Sequence, residues 1–347
     1  MDKRSHRTLD EVLKPLLVPM RRINNMIAFG PVPSRRLGRS MGINNIPPKV
    51  CTYSCIYCQV GKTSQMQVER RPFYDPAEIF KSVKKQVKKA KKRGESIDYL
   101  TFVPDGEPTL DINLGHEIDL LKPLGIKIAV ITNSSLIFRE DVRDDLMKAD
   151  WISLKLDSTW KTDWRKINRP HQKLELNMIL RGMRDFSKRF RGELVTETML
   201  VQAINYDADM LGEMAMFIAC LSPDIAYLSI PTRPPAEYWV NPPSPREVNK
   251  AFQIFGEKID QVEYLIGYEG NAFAFTGNVE KDLLSITSVH PMREDAVSDF
   301  LANADKDWTI VNKLISKSKI VETEYKGQKF YLRNLQRHLG DEYGDQR

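Results

Sequence analysis

Cysteine is scarce in this chain, with four among 347 residues. So few thiols exclude the disulfide-stapled scaffold of small secreted proteins. Long apolar runs are lacking too: no stretch of about 18 apolar residues exists, so no transmembrane helix is expected. The apolar run at 16–18 is too short for the core of a signal peptide. These absences predict an intracellular, cytoplasmic protein without a membrane partner.

Basic charge is present in modest excess, and it is unevenly spread. The formal net charge is +6. Residues 1–39 carry nine Lys/Arg against three Asp/Glu, residues 81–93 carry eight and no acid, and residues 305–337 carry eight against four. Uneven basic charge fits a polyanionic partner, while a solvated face is the more usual explanation.

Three of the four cysteines are crowded into the stretch KVCTYSCIYCQVGK. Cys51, Cys55 and Cys58 are separated by three residues and then by two. In a reducing compartment, clustered thiols more often hold a metal than form disulfides. Soft thiolates suit iron–sulfur clusters, and three of them can hold three corners of a 4Fe–4S cube while one iron stays open.

A closed metal site would need a fourth ligand, and the sequence offers none nearby. An electron-transfer ferredoxin uses a fourth cysteine, and a structural zinc site has four ligands. The remaining Cys220 lies far along the chain in LGEMAMFIACLSPD, an apolar segment that predicts a helix with this cysteine in the core. No histidine lies between His6 and His116. An open cluster is therefore the preferred interpretation.

This C-x3-C-x2-C pattern, with the aromatic Tyr57 before its last cysteine, resembles the signature of the radical S-adenosylmethionine (SAM) superfamily. The resemblance implies two cofactors, a 4Fe–4S cluster on Cys51, Cys55 and Cys58, and SAM on the open iron, with Tyr57 at the cofactor. It further implies cleavage of the sulfonium to a 5′-deoxyadenosyl radical that abstracts hydrogen, and a low-potential electron donor.

Strand-like and helix-like segments alternate between about residue 40 and residue 266. The strands are β-branched runs typical of buried parallel strands, and repeated strand–helix units predict a parallel sheet. Six such units resemble the partial (β/α)6 TIM-like barrel of radical SAM enzymes, so the predicted fold class is α/β. The predicted strands are 41–46, 98–103, 126–132, 151–157, 193–201 and 225–230, and the helices start at Asp75-Pro76 and cover 114–123, 140–149, 174–189, 207–221 and 245–257.

Chemistry in parallel barrels sits where the strands end at their carboxyl side. After the second predicted strand comes Asp105, Gly106, Glu107 and Pro108, which resembles the family's Gly-Gly-Glu-Pro segment with Asp105 in place of the first glycine. In the family this segment meets the amino group of SAM, and a carboxylate suits an ammonium. On residue type alone, the segment is also typical of a turn.

The ends of the remaining strands supply further candidates for the cofactor site. Asn133 and Ser134 are placed for the ribose or the carboxylate of SAM, with a helix cap as the alternative. Lys155 and Asp157 share one strand face, resemble a family strand and are assigned to the same groups, with a simple mutual ion pair as the alternative. The resemblance places the adenine near the ends of the fifth and sixth strands, marked by Glu197, Met199 and Ile230.

The stretch 29–58 resembles a group of radical SAM proteins that is distantly grouped with the tRNA wybutosine-synthesis enzymes. Those enzymes carry further N-terminal cysteines for a second cluster, and this chain has none there. Wybutosine chemistry, and dehydrogenation or sulfur insertion that need auxiliary clusters, are therefore disfavoured. Arg35 and Arg36 in this stretch either reach an anionic group or are simply solvated.

The C-terminal region predicts two short helices followed by a hairpin that turns at Lys326-Gly327. This order suggests a winged helix whose second helix exposes a face suited to a nucleic-acid groove, with peptide binding or a purely structural lid as alternatives. We therefore predict a helical extension at 1–28, the barrel at 29–270 and the winged-helix domain at 271–347. The exposed face comprises Thr309, Asn312, Lys313 and Lys317.

A proline-rich connector at 231–245 joins the last barrel strand to the following helix. Its Arg233, Tyr238 and Trp239 suit base stacking at a substrate entrance, or they belong to a packed connector. The main functional hypothesis is a radical SAM enzyme that modifies tRNA or another RNA. The alternatives are a peptide or protein substrate and, in another class, a DNA-binding iron–sulfur redox sensor.

Overall fold

Buried β-branched runs form the strands of this protein, and the computed structural model describes residues 27–266, 278–289, 291–325 and 327–334. Eight strands join in one sheet in the order β1-β2-β5-β6-β7-β8-β9-β10, while β3 and β4 pair separately. The strands are β1 (Ala28–Ser34), β2 (Gly38–Ile43), β3 (Val50–Cys51), β4 (Gln65–Met66), β5 (Tyr99–Phe102), β6 (Lys127–Thr132), β7 (Trp151–Lys155), β8 (Glu193–Met199), β9 (Ile225–Ser229) and β10 (Val262–Leu265).

All neighbours in the large sheet are parallel except β1, which runs antiparallel to β2 at one edge. The six predicted strands are all present, and the mixed α/β sheet is consistent with a partial barrel of the radical SAM type. The prediction lacked β1 and β10. Both lie at edges, where the two prolines of β1 are tolerated because an edge strand leaves some N–H positions unpaired.

The helices follow the strands as the alternating pattern predicts. The first begins where Asp75 accepts a hydrogen bond from the Ala77 N–H at 2.9 Å, and its buried stripe is Ile79, Val83, Val87 and Ala90. Phe80, predicted for that stripe, is only half-buried. The helices are α1 (Pro76–Lys92), α2 (Leu114–Leu121), α3 (Glu140–Leu146), α4 (Lys161–Asn168), α5 (Leu176–Arg189), α6 (Ala208–Ala219) and α7 (Pro245–Gly256). Helix α4 was not among the predicted helices.

The two faces of the sheet bury different cores. One face packs against the helices through residues such as Val130, Leu154 and Leu228. The alternate residues of the same strands form a second cluster inside the curved sheet: Ala129, Trp151, Val195, Tyr227 and Leu265, joined by Leu37 from the turn between β1 and β2. That turn therefore fills the interior of the partial barrel.

The described C-terminal residues form α8 (Val279–Val289), β11 (Met292–Arg293), α9 (Glu294–Asn303), α10 (Thr309–Ser316), β12 (Ile320–Tyr325) and β13 (Gln328–Arg333). The three strands make a separate antiparallel sheet in the order β11-β13-β12, and these elements bury their own hydrophobic core. Both predicted helices and the predicted hairpin strands are present. Lys326 in the predicted turn, nearly all of the predicted N-terminal extension and the predicted boundary at 270 lie outside the described residues.

Among the helices that the structure describes, none combines the length and the apolar character that crossing a bilayer requires.

Candidate cluster and cofactor site

The three clustered cysteines lie in one loop that begins at the end of β3. All three are half-buried. The Cys58 N–H donates to the Cys55 carbonyl at 3.1 Å, and the Gly61 N–H donates to the Cys58 carbonyl at 3.0 Å. The Ser54 N–H reaches the Asn168 carbonyl at the end of α4 at 3.0 Å. These bonds fix the backbone that carries the thiols.

Gly106 lies directly beneath this loop. A Cβ atom at position 106 would come within 1.9 Å of the Val50 carbonyl oxygen. The same oxygen accepts from the Glu107 N–H at 3.2 Å, and the Lys49 N–H donates to the Asp105 carbonyl at 2.8 Å. A glycine is therefore required here so that the cysteine loop can approach the segment after β5.

Glu107 is completely buried and links two strand ends. One carboxylate oxygen accepts from the Thr109 N–H at 3.1 Å and from the hydroxyls of Thr109 and Thr132 at 2.6 Å, and the other accepts from the Asn133 N–H at 2.7 Å. Burial raises the pKa of Glu107, although these hydrogen bonds act against the rise. The following Pro108 is also buried and begins a short 3-10 turn. Binding of an amine by Glu107 stays a prediction.

Asn133 and Ser134 follow β6 and come up against the cysteine loop. The Asn133 amide donates to the Cys51 sulfur at 3.5 Å and to the Thr52 hydroxyl at 2.8 Å. Ser134 has a φ of +65°, a left-handed conformation that a non-glycine residue rarely adopts. Its hydroxyl oxygen is buried and has no hydrogen-bond partner among the described residues. An orphaned buried hydroxyl at a strand end is a candidate ligand contact.

Asp157, Tyr57 and Asn168 form a hydrogen-bonded group around Cys55. The Asp157 carboxylate accepts from the Tyr57 hydroxyl at 2.5 Å and from the Asn168 amide at 2.6 Å. The Asn168 amide lies 3.4 Å from the Cys55 sulfur. Burial raises the pKa of Asp157 against the effect of the Tyr57 hydrogen bond. The sequence analysis assigned no role to Asn168, which ends α4.

Lys155 and Glu197 belong to a charge group inside the barrel. Lys155 Nζ lies 3.2 Å from Glu197, and Arg36 from the turn between β1 and β2 makes an ion pair with the same carboxylate. Burial alone would raise the pKa of Glu197, but Arg36 and then Lys155 outweigh it and lower the pKa to about 2. The anionic group that Arg36 reaches is thus a glutamate of the protein, and Lys155 and Asp157 have different principal partners.

Two of the three residues assigned to the adenine are apolar. Met199 ends β8 and packs with Ile56, Tyr57 and Val201. Ile230 follows β9 and is half-buried against the main core. The cavity among Tyr57, Asn133, Lys155 and Asp157 measures about 10 Å³, so a nucleotide at these strand ends requires side chains to move.

The donor set fits an iron–sulfur cluster. Burial, followed by the charge of Glu107, raises the pKa of Cys51 to about 12, and burial raises that of Cys55. Such thiols become thiolates only beside a cation such as iron, and amide donors at two of the sulfurs are typical of the surroundings of a cluster. Within the part of the chain that the structure describes, no three His, Cys, Asp or Glu side chains already converge in metal-ligand geometry.

Cys220 does not lie where the sequence predicts, and the proline-rich connector has both packed and exposed residues. Cys220 caps the end of α6 and is exposed, so its predicted place in the core is wrong. Arg233 is buried and donates to the Gln59 side chain at 2.7 Å, which makes this residue part of a packed connector. Tyr238 and Trp239 are 94% and 44% exposed, close to where the Glu237 N–H meets the Ile56 carbonyl of the cysteine loop.

Comparison with known proteins agrees with this geometry. The family model described as the Radical SAM superfamily matches residues 45–215. The UPF0026 protein MJ1312 of Methanocaldococcus jannaschii is 49% identical over 311 residues, which cover 89% of this chain and 96% of that protein. The UPF0026 protein slr1464 of Synechocystis is 36% identical over 208 residues, covering 59% of this chain and 76% of that one.

Among solved structures, Streptococcus suis SuiB bound to S-adenosylmethionine is 13% identical, with a TM-score of 0.48 over 64% of this chain and 49% of that one. Archaeal TYW1 is 16% identical, with a TM-score of 0.43 over 64% of this chain and 72% of that one. The radical SAM family uses a 4Fe–4S cluster and SAM. The chain belongs to the UPF0026 family and, with it, to the radical SAM superfamily of iron–sulfur enzymes.

Proposed function

We propose that this protein cleaves SAM at a 4Fe–4S cluster held by Cys51, Cys55 and Cys58, and that it modifies RNA, most directly tRNA. The observation that carries the cofactor assignment is the arrangement of three half-buried thiols in one loop, two of which receive side-chain amides from neighbouring elements. When bound, the cluster supplies the electron that breaks the sulfonium and gives a 5′-deoxyadenosyl radical able to abstract hydrogen.

The protein's own part is to bind, orient and exclude water. Gly106 lets the segment after β5 lie against the cysteine loop. In that segment Glu107, followed by Pro108, is the residue that meets the amine of SAM. Asn133 and Ser134 offer an amide and an unpartnered hydroxyl to its carboxylate or ribose. Lys155 and Asp157 flank the same space together with Tyr57, and Glu197 and Ile230 lie where the adenine is expected.

Support for a nucleic-acid substrate comes first from the C-terminal elements. We assign them to a winged helix because helix, strand, two helices and two strands follow one another from α8 to β13, with three strands in one small sheet. The predicted recognition helix, α10, exposes Thr309, Asn312 and Lys317. Its Lys313 lies 3.3 Å from Glu280 of α8, so this lysine is partly neutralised within the domain.

Two further surfaces favour a polyanion that stacks. Tyr238 and Trp239 are exposed aromatic side chains beside the cysteine loop, and every base offers a face to such a ring. Helix α1 presents a row of exposed lysines without an acidic neighbour in its last three turns: Lys81, Lys84, Lys85, Lys88, Lys91 and Lys92. Phosphate backbones are attracted to such rows.

The experiment measures binding of unmodified tRNA and of a mixed-sequence peptide library at several salt concentrations. If the protein binds tRNA through its phosphates, the logarithm of the association constant should fall linearly with the logarithm of the salt concentration. Selective peptide binding, or RNA binding that salt does not affect, would contradict the RNA assignment. Comparative mass spectrometry of nucleosides from cells with and without the gene then identifies the product.

A cytoplasmic location and a low-potential electron donor complete the proposal. Free cysteines and an oxygen-sensitive cluster require a reducing compartment. The donor would supply the electron that a cluster held by Cys51, Cys55 and Cys58 needs to become reduced.

A further inference from the structure

A cavity of about 460 Å³ lies between the cysteine loop and the C-terminal sheet, and we call it the junction cavity. One wall is the segment that follows Cys58, and the opposite wall is formed by β12 and β13. The connector closes a third side. The polar lining residues that matter for a ligand are Lys49, Lys62, Ser64, Thr323 and Arg333.

The charge of this lining is entirely positive. Lys49, Lys62 and Arg333 contribute three cations, and no acidic residue lines the junction cavity. The Lys49 ammonium is buried and has no hydrogen-bond partner among the described residues. Lys62 lies 3.1 Å from Glu237, and Arg333 donates to the Leu284 carbonyl at 3.4 Å.

One buried carboxylate lies near two of these cations. Asp105 is close enough to Lys49 and Arg333 for their charges to act on it. It is the residue that replaces the first glycine of the family segment. It does not line the cavity, so the charged side chains of the lining remain entirely basic.

We propose that the junction cavity binds a phosphate group of the RNA substrate. The choice of RNA rests on the proposed function, whereas the phosphate chemistry rests on the cavity itself. The volume falls in the range of natural ligand sites, which is roughly 300–1,000 Å³. Arginine and lysine are the side chains that recognise phosphate, and the hydroxyls of Ser64 and Thr323 supply neutral hydrogen bonds.

The junction cavity lies where one ligand can contact two parts of the protein. An occupant touches the C-terminal sheet and the cysteine loop at once, so a phosphate held there ties the RNA-binding domain to the reactive centre. The charge group inside the barrel differs, because the Glu197 carboxylate there pairs with both Arg36 and Lys155. In the junction cavity Lys62 pairs with Glu237, whereas Lys49 and Arg333 make no ion pair among the described residues and leave cationic charge for a ligand.

The test compares binding of three probes to the full-length, anaerobically prepared protein: adenosine 5′-monophosphate, adenosine, and a 12-nucleotide single-stranded RNA. Variants Arg333→Gln and Lys62→Gln remove one cation each. Lys188→Gln is the matched control, because this exposed lysine ends α5 and lies at the amino end of β8, away from the strand ends that face the cysteine loop. Thermal unfolding of each variant confirms folding.

We expect adenosine 5′-monophosphate to bind better than adenosine, and Arg333→Gln to weaken the monophosphate and the RNA about tenfold. The slope of the logarithm of the RNA association constant against the logarithm of salt concentration should also become less steep by about 0.7. Lys62→Gln should act in the same direction and Lys188→Gln not at all. Equal affinities in all variants, or adenosine that binds as tightly as the monophosphate, would overturn the proposal.

The two sources of phosphate are separated by the same data. If the wild type binds the monophosphate but not the RNA, and Arg333→Gln weakens that binding, the phosphate site stands and the RNA substrate is wrong. If the wild type binds RNA and Arg333→Gln binds it equally well, the proposed function stands and the junction cavity is wrongly assigned.

Discussion

Replacing Gly106 by alanine tests how closely the cysteine loop must approach the segment after β5. The new Cβ would lie 1.9 Å from the Val50 carbonyl oxygen, whereas ordinary contact begins at 3.4 Å. Because both groups belong to backbone, the loop must move by about 1.5 Å. Overpacking costs about 1–3 kcal/mol, and losing the Glu107-to-Val50 hydrogen bond adds about 1 kcal/mol.

Such a displacement should affect catalysis more than stability. A shift of about 1 Å in a reacting group can cost about 100-fold in rate. We therefore expect Gly106→Ala to lower the free energy of unfolding, measured in denaturant titrations, by about 2–4 kcal/mol. We also expect this variant to form 5′-deoxyadenosine at least 100-fold more slowly.

The matched control is Gly212→Ala on α6, where a new Cβ meets no atom within 4 Å. In a helix this change is expected to stabilise by about 0.5–1 kcal/mol and to leave SAM cleavage unchanged. A Gly106→Ala protein with wild-type iron content and a wild-type rate would refute the reasoning about close approach.

Three further predictions concern buried charges. Glu107→Gln should lower the free energy of unfolding by about 1–3 kcal/mol in urea titrations, because one side-chain NH2 must face a backbone N–H, either that of Asn133 or that of Thr109; unchanged stability would contradict this. Arg36→Met should cost about 3–5 kcal/mol by leaving Glu197 underpaired, and adding Glu197→Gln should recover part of it; a strictly additive double mutant would contradict the pairing. Burial raises the pKa of Asp105 to about 7 from 3.8, so the folded state binds the proton more tightly and stability falls as pH rises from about 4 to 7. Asp105→Asn should remove that fall in urea titrations at pH 5 and pH 8, and an identical pH dependence in both proteins would exclude Asp105 as its source.

The strands that form the middle of the sheet could be predicted from sequence because burial on both faces makes each a continuous β-branched run. Edge strands lack this signal. β1 contains two prolines, and β10 exposes the charged Glu263 and the polar Tyr264, so neither has the pattern of a buried strand. Each of them is a strand because it pairs with the outermost parallel strand beside it, and its own sequence does not indicate this.

Within the site, local pattern located the residues but not their partners. The ion pair between Arg36 and Glu197 joins positions 161 residues apart, and only the folding of the β1–β2 turn into the barrel brings them together. Lys155 ends β7 and Asp157 follows that strand, and their closest partners are Glu197 and Tyr57 respectively. Asn168 was missed because an asparagine at the end of a short helix has no distinguishing pattern until its amide is seen beside Cys55.

The error at Cys220 has a simple geometric cause. Apolar composition suggested a buried helix, but Met216 and Cys220 are four residues apart and therefore lie on the same face of α6. That face is turned away from the core, since Met216 is 52% exposed. Periodicity would have distinguished the buried face, through Leu211, Met214 and Ile218, from the exposed one.

One comparison measures whether Cys51, Cys55 and Cys58 hold a cluster that reduces SAM. Anaerobically reconstituted wild type, Cys55→Ala and the exposed-cysteine control Cys220→Ala are each given dithionite and SAM, and 5′-deoxyadenosine is measured together with iron and sulfide. We predict about four irons per chain and product formation in the wild type and in Cys220→Ala, with both lost in Cys55→Ala. Zinc without sulfide in the wild type, or undiminished product from Cys55→Ala, would contradict the account.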